Sequence, residues 1–84
     1  MKYVVSYDLR KPGRDYQTLY DALEKLNAKR LMQSEWCLRH NDTTAAKLRD
    51  HFRQYIDGND RLLVISLDSG NWASWNVMVD INKI

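Results

Sequence analysis

One cysteine, one proline and three glycines stand among 84 residues, and no apolar run approaches the length of a membrane span. A lone Cys37 excludes an internal disulfide. No Cys-x-x-Cys pair or Cys/His cluster accompanies it, so nothing points to structural zinc. A spanning helix needs about 20 consecutive apolar residues. A single free thiol fits a reducing compartment. The opening stretch Tyr3-Val4-Val5-Ser6-Tyr7 is too short for a signal peptide and has no cleavage site. These absences lead us to expect a soluble, cytoplasmic protein with no membrane partner. Charge of one sign is missing too: 13 Lys and Arg oppose 11 Asp and Glu, a net +2. That excludes an acidic mimic of nucleic acid and leaves a mildly basic chain. What is present is a folding composition, 44% hydrophobic with three Trp, five Tyr and one Phe. We expect one domain over residues 1–84, with a core of about 1–67 and an extension of about 70–84. A chain this short buries only about 60% of its unfolded surface. Without disulfide or metal, oligomerisation is the remaining staple.

The hydrophobic periods give an element order. Residues 2–9 alternate as a strand, with Tyr3, Val5 and Tyr7 on one face and Val4, Ser6 and Asp8 on the other. Arg10-Lys11-Pro12-Gly13 is a loop. Tyr16, Leu19, Tyr20, Leu23 and Leu26 form a helical stripe over 15–27, with Asp15 as a cap and Asn27 as a left-handed stop. Residues 28–40 lack that period and divide at Gln33-Ser34 into a hairpin, 28–33 and 35–40. Asp42 or Thr43 starts a second helix carrying Ala45, Leu48, Phe52 and Tyr55, which stops at Asp57-Gly58-Asn59 with Gly58 left-handed. The apolar run 61–67 reads as a central strand buried on both faces. In the tail, Trp75, Val77, Val79 and Ile81 alternate as in a strand, while Val77, Ile81 and Ile84 also fit a helix.

The order β-α-β-β-α-β is two split βαβ units, an α+β ferredoxin-like fold with both helices on one face of a four-stranded antiparallel sheet. The other face is then bare in a single copy. Val4 and the 61–67 run make it apolar, the mark of an interface. A two-fold homodimer covers it with the fewest new contacts.

Three segments carry a family resemblance: Tyr7-Asp8-Leu9, Gln33-Ser34-Glu35-Trp36, and Ile56-Asp57-x-x-Asp60-x-Leu62-x-Val64. Together, over about residues 1–75, they resemble the small CRISPR-associated endonuclease family Cas-two (Cas2). The closer likeness is to its SinR-like relatives of bacteria and phages, with their Ser-x-Trp step, Leu-Leu-Val-Ile strand and Trp-containing tail. The resemblance implies a ferredoxin-like homodimer in which Asp8 of each subunit holds a divalent ion near the dimer axis. Mg²⁺ suits such a place, because it takes one or two carboxylates and keeps waters. The resemblance also tips the tail towards a short helix. Two features depart from it: Cys37 stands where the family often has an acidic residue, and the tail is short. Many family members are inactive as nucleases and serve as scaffolds.

Each candidate residue also has an ordinary role. Asp8 ends a strand, where an aspartate commonly caps a turn or meets a cation such as Arg10 or Lys11. As a site it is the catalytic and metal-binding residue. Arg10, Lys11 and Arg14 form a phosphate clamp beside it or a plain solvated loop. Trp72 and Trp75 cover the sheet or hold the partner subunit. Tyr7 and Trp36 belong to core or dimer packing. Lys29-Arg30 and Arg39-His40 read as solvated strand ends, and Cys37 as a small buried apolar residue. Three functions follow: a metal-dependent nuclease on RNA or DNA, a non-catalytic nucleic-acid-binding or scaffold dimer, and a protein-interaction module such as a phage or mobile-element factor acting on a host nucleic-acid machine. The last two together rank above the first.

Overall fold

The structure, a computed structural model, describes residues 1–11 and 15–84. Its elements are β1 (Lys2–Asp8), α1 (Gln17–Lys25), β2 (Lys29–Met32), β3 (Glu35–Arg39), α2 (Ala45–Arg53) and β4 (Arg61–Ser66), followed by a 3₁₀ turn at Ile81–Lys83. The strands form one antiparallel sheet in the order β2-β3-β1-β4. This is the ferredoxin-like α+β fold that the element order implies.

The alternation in β1 decides the two faces. Tyr3, Val5 and Tyr7 are buried against the helices, with Trp36 and Leu38 from β3 beside them. From the helices come Leu19, Ala22 and Leu23 of α1, and Leu48 and Phe52 of α2. Asn27 does leave α1 in the left-handed region (φ 59°), where a short polar side chain is tolerated. Gln33-Ser34 does turn the hairpin, and the Ser34 carbonyl accepts the Tyr7 amide at 3.1 Å.

Several local expectations are corrected. The cap of α2 is Thr44, whose Oγ1 accepts the Lys47 amide at 3.1 Å, and not Asp42 or Thr43. The same helix ends at Arg53, before Gly58. Gly58 is not left-handed; the turn closes with the Asp60 amide donating to the Asp57 carbonyl at 3.1 Å and Asp60 Oδ2 accepting the Asp57 amide at 2.8 Å. The run at 61–67 is an edge strand and not a central one. Its Leu62 and Val64 pack against the helix-face core, whereas Leu63 and Ile65 are 56% and 46% exposed on the other face. An apolar run has the same composition in either place; the chain order puts the last strand outside β1.

The second face is not bare. The tail, neither strand nor helix apart from its final 3₁₀ turn, lies across part of it. Ile81 is buried with Leu31 and Cys37, and Val4, Leu67, Trp72, Val77, Val79 and Ile84 pack around them. Polar bonds fasten the cover. Lys2 Nζ donates to the Ile81 carbonyl at 2.8 Å, and Arg39 donates to the Ile84 carbonyl through Nε at 3.1 Å and Nη2 at 2.8 Å. The Met78 amide donates to the Leu31 carbonyl at 2.9 Å. The cover leaves Leu63 and Ile65 of β4 partly exposed, and Asp8 exposed at the end of β1.

Cys37 lies under that cover and is fully buried. Burial pushes its thiol above the ordinary value of 9.0, against a smaller opposing effect of Lys2. The thiol is therefore neutral and shielded. Thiol reagents at neutral pH should label it only through opening; at a stability of about 5 kcal/mol the unfolded fraction is below about 10⁻³. Stopped-flow labelling with and without denaturant checks this. Rapid labelling of the native chain would mean that the tail leaves the sheet.

Candidate nucleic-acid interface

Asp8 is the last residue of β1 and shares the partly covered face with Val4 and Ser6. In the register it stands opposite Arg61 of β4. Its Oδ2 accepts from Arg10 Nη1 at 3.4 Å and from Arg61 Nη1 at 3.5 Å, and its side chain is 56% exposed. Well-made ionic hydrogen bonds of this kind run about 2.7–2.9 Å. These are looser. Exposed pairs of this sort stabilise a fold by no more than about 1 kcal/mol. Both arginines are therefore held near the carboxylate but are inexpensive to redirect towards another anion.

The basic loop is divided. Arg10 turns to Asp8, while Lys11 Nζ lies 3.8 Å from Asp57 Oδ2. Arg14 falls outside the described residues. Arg61, which comes from another strand 53 positions from Asp8, completes the group; sequence reasoning had given it no role.

A second residue went unassigned. Asp60 knots the loops around Asp8 together. Its Oδ1 accepts the Arg10 amide at 2.7 Å and its Oδ2 the Asp57 amide at 2.8 Å, and the Tyr16 hydroxyl lies 2.9 Å from each oxygen. Burial pushes the Tyr16 phenol above its ordinary value of 10.0, and the hydrogen bond and charge of Asp60 push the same way. The phenol is thus a neutral donor. The signal was available, since Asp57-x-x-Asp60 was among the segments read as a family feature.

Two of the expected solvated strand ends are structural instead. The Arg30 guanidinium carbon lies 4.7 Å from the centre of the Trp36 ring and 4.9 Å from that of Tyr20. Arg30 Nη2 also donates to the Tyr7 hydroxyl at 3.2 Å, and Trp36 Nε1 donates to the same oxygen at 3.0 Å. This cation–aromatic packing removes Arg30 from any phosphate-binding surface. Arg39 is committed to the tail. Trp72 packs in the cluster beneath the tail, and Trp75 is 91% exposed.

Among the described residues no group of three or more His, Cys, Asp or Glu is placed to hold a metal ion. In the arginine group at the end of β1, one copy offers a single exposed carboxylate, that of Asp8. That suits half of a Mg²⁺ site shared by two copies, because this ion is content with one or two carboxylates and its own waters. No helix among the described residues is long and apolar enough to cross a membrane. With this geometry in place, comparison adds one finding: residues 1–74 match the family described as CRISPR associated protein Cas2.

Proposed function

We propose, from the premise that the chain belongs to the CRISPR associated protein Cas2 family and is a CRISPR-associated, nuclease-like protein, that it works as a homodimer meeting a nucleic-acid backbone at the Asp8 end of its sheet. The observation that carries this reading is the loose, exposed Asp8–Arg10–Arg61 group at the end of β1. Phosphate contacts supply most nucleic-acid affinity, and arginine matches a phosphate with a two-pronged donor. The dimer is supported by exposed Leu63 and Ile65 on the edge strand β4, which also carries Arg61. A second copy seated there brings apolar surface and Asp8 together at one axis. The Ser34-x-Trp36 step and the tryptophans of the tail favour the SinR-like branch.

Asp8 is the residue to hold Mg²⁺ in such a dimer. A bound divalent ion supplies polarisation of a phosphate and a water of lowered pKa. Arg10 and Arg61 orient the phosphate and offset the negative charge that Asp8 places beside it. A second reading, the protein-interaction module, rests on Trp75 and Met78, 91% and 66% exposed in the tail.

The first reading is tested by fluorescence anisotropy with a labelled oligonucleotide across a salt series. Affinity should fall steeply between about 50 and 200 mM salt. Replacing both Arg10 and Arg61 with Ala should weaken binding and flatten the log–log slope by about 0.9 per lost phosphate contact on duplex. No binding at low salt would remove this reading in favour of the second.

A further inference from the structure

Beside Asp8, where the start of α1 faces the β2–β3 turn, lies a cavity of about 310 Å³ whose lining includes Tyr7, Tyr16, Tyr20, Gln33 and Ser34. Its groups differ in how far they are already engaged. Tyr7 is occupied by Trp36, Arg30 and the Gln33 carbonyl, and Tyr16 by Asp60. Among the described residues the Tyr20 hydroxyl, the Gln33 amide and the Ser34 hydroxyl make no hydrogen bond, although Gln33 and Ser34 sit on a turn whose backbone is fixed to Tyr7. The cavity thus presents mainly polar groups, since Tyr7 and Tyr16 are each only 7% exposed; its rim is uncommitted at Gln33 and Ser34, and Asp8, which Arg10 and Arg61 contact, is on its lining.

We infer that this cavity is a subsite for one unpaired nucleobase of the bound strand, its edge met by Gln33 and Ser34 while Arg10 and Arg61 hold the adjoining phosphates. The inference rests on the reading that nucleic acid lies at Asp8. The volume is at the lower end of small-ligand sites, which start near about 300 Å³, so it takes one base and not a stacked pair. A carboxamide offers a donor and an acceptor side by side, the pattern that matches a base edge. In a duplex the pairing edges are occupied and the faces stacked, so only a single-stranded or splayed-out nucleotide enters. The polar rim discriminates among the bases by their edges.

The experiment compares a single strand of about twelve nucleotides, as DNA and as RNA, with its duplex. The binder is the full chain, wild type or carrying Gln33→Ala with Ser34→Ala. Neither substitution alters charge or the backbone bonds to Tyr7, and an unchanged melting temperature confirms the fold. The double variant should bind the single strand about three- to tenfold more weakly, the scale of one or two lost hydrogen bonds. Its duplex affinity and salt slope should stay unchanged, and preference among homopolymer strands should flatten. Equal single-strand affinity for wild type and double variant overturns the subsite. If the Arg10→Ala, Arg61→Ala variant still weakens binding in that case, the proposed function stands. Absence of all binding at low salt overturns both.

Discussion

Asp8→Asn is expected to lower divalent-metal-dependent cleavage by at least about 100-fold while tightening nucleic-acid binding. A buried catalytic carboxylate would make the two effects inseparable from stability, but Asp8 is 56% exposed and its two partners stand at 3.4 and 3.5 Å. Losing such pairs changes stability by about 1 kcal/mol or less. The amide keeps the size and an acceptor oxygen but not the charge that Mg²⁺ requires. Removing an electrostatic stabiliser of a transition state typically costs about 10²–10³ in rate. Binding moves the other way, because a negative charge no longer faces the phosphates and Arg10 and Arg61 lose their competitor. Oligonucleotide cleavage with Mg²⁺ and with chelator, read beside anisotropy on the same preparations, checks both halves. Cleavage by the variant at the wild-type rate would place the chemistry elsewhere or in a contaminant. A wild type that binds but never cuts would make the protein a scaffold, and the tighter binding of Asp8→Asn would then remain as the testable half.

The fold was legible where a local period decides it. Tyr3, Val5 and Tyr7 alternate because one face of β1 must be apolar, and Leu19 and Leu23 repeat because α1 must bury a stripe. The Gln33-Ser34 turn followed from the loss of helical period on both sides of it. What was not legible is decided by distant pairing. Whether 61–67 lies at the centre or edge of the sheet depends on chain order, and Leu63 and Ile65 look alike in either place. The tail has no single period because it is a cover shaped by what lies beneath it: Ile81 packs on Cys37 and Leu31, and Lys2 and Arg39 reach its carbonyls. The same reason hid Arg61 from Asp8. It also made Arg30, charged and near a strand end, look solvated when two aromatic rings enclose it. Asp8 and Arg10 were found because they are near neighbours in sequence; Asp60 was not, because its donors lie as far as 50 positions away.

Asp60→Ala is expected to be the most destabilising change outside the apolar core, and to disarm the Asp8 end without touching it. Three separate groups lose their acceptor at once: the Arg10 amide, the Asp57 amide and the Tyr16 hydroxyl. Hydrogen bonds to a charged group contribute about 1.5–3 kcal/mol each, and the buried Tyr16 phenol is left without that partner. Allowing for water reaching the two amides, we expect a loss of about 2–4 kcal/mol, out of about 4–13 kcal/mol for a chain of this size. At about 4–8 °C per kcal/mol, the melting temperature falls by about 10–30 °C. Asp60→Asn should lose less, since its amide oxygen still serves one or two donors. High pH should strain the same knot. The folded chain holds the Tyr16 proton above 10.0, where the unfolded chain releases it, so stability is intact below that pH and declines above it. Calorimetry across pH on wild type and Asp60→Ala separates the effects, and the alkaline decline should be shallower in the variant. Because Arg10 hangs from Asp60 by its backbone, a variant that keeps its fold at low temperature should still bind oligonucleotide more weakly than wild type. An unchanged melting temperature in Asp60→Ala would mean that the loops bracing Asp8 are held by something other than this carboxylate.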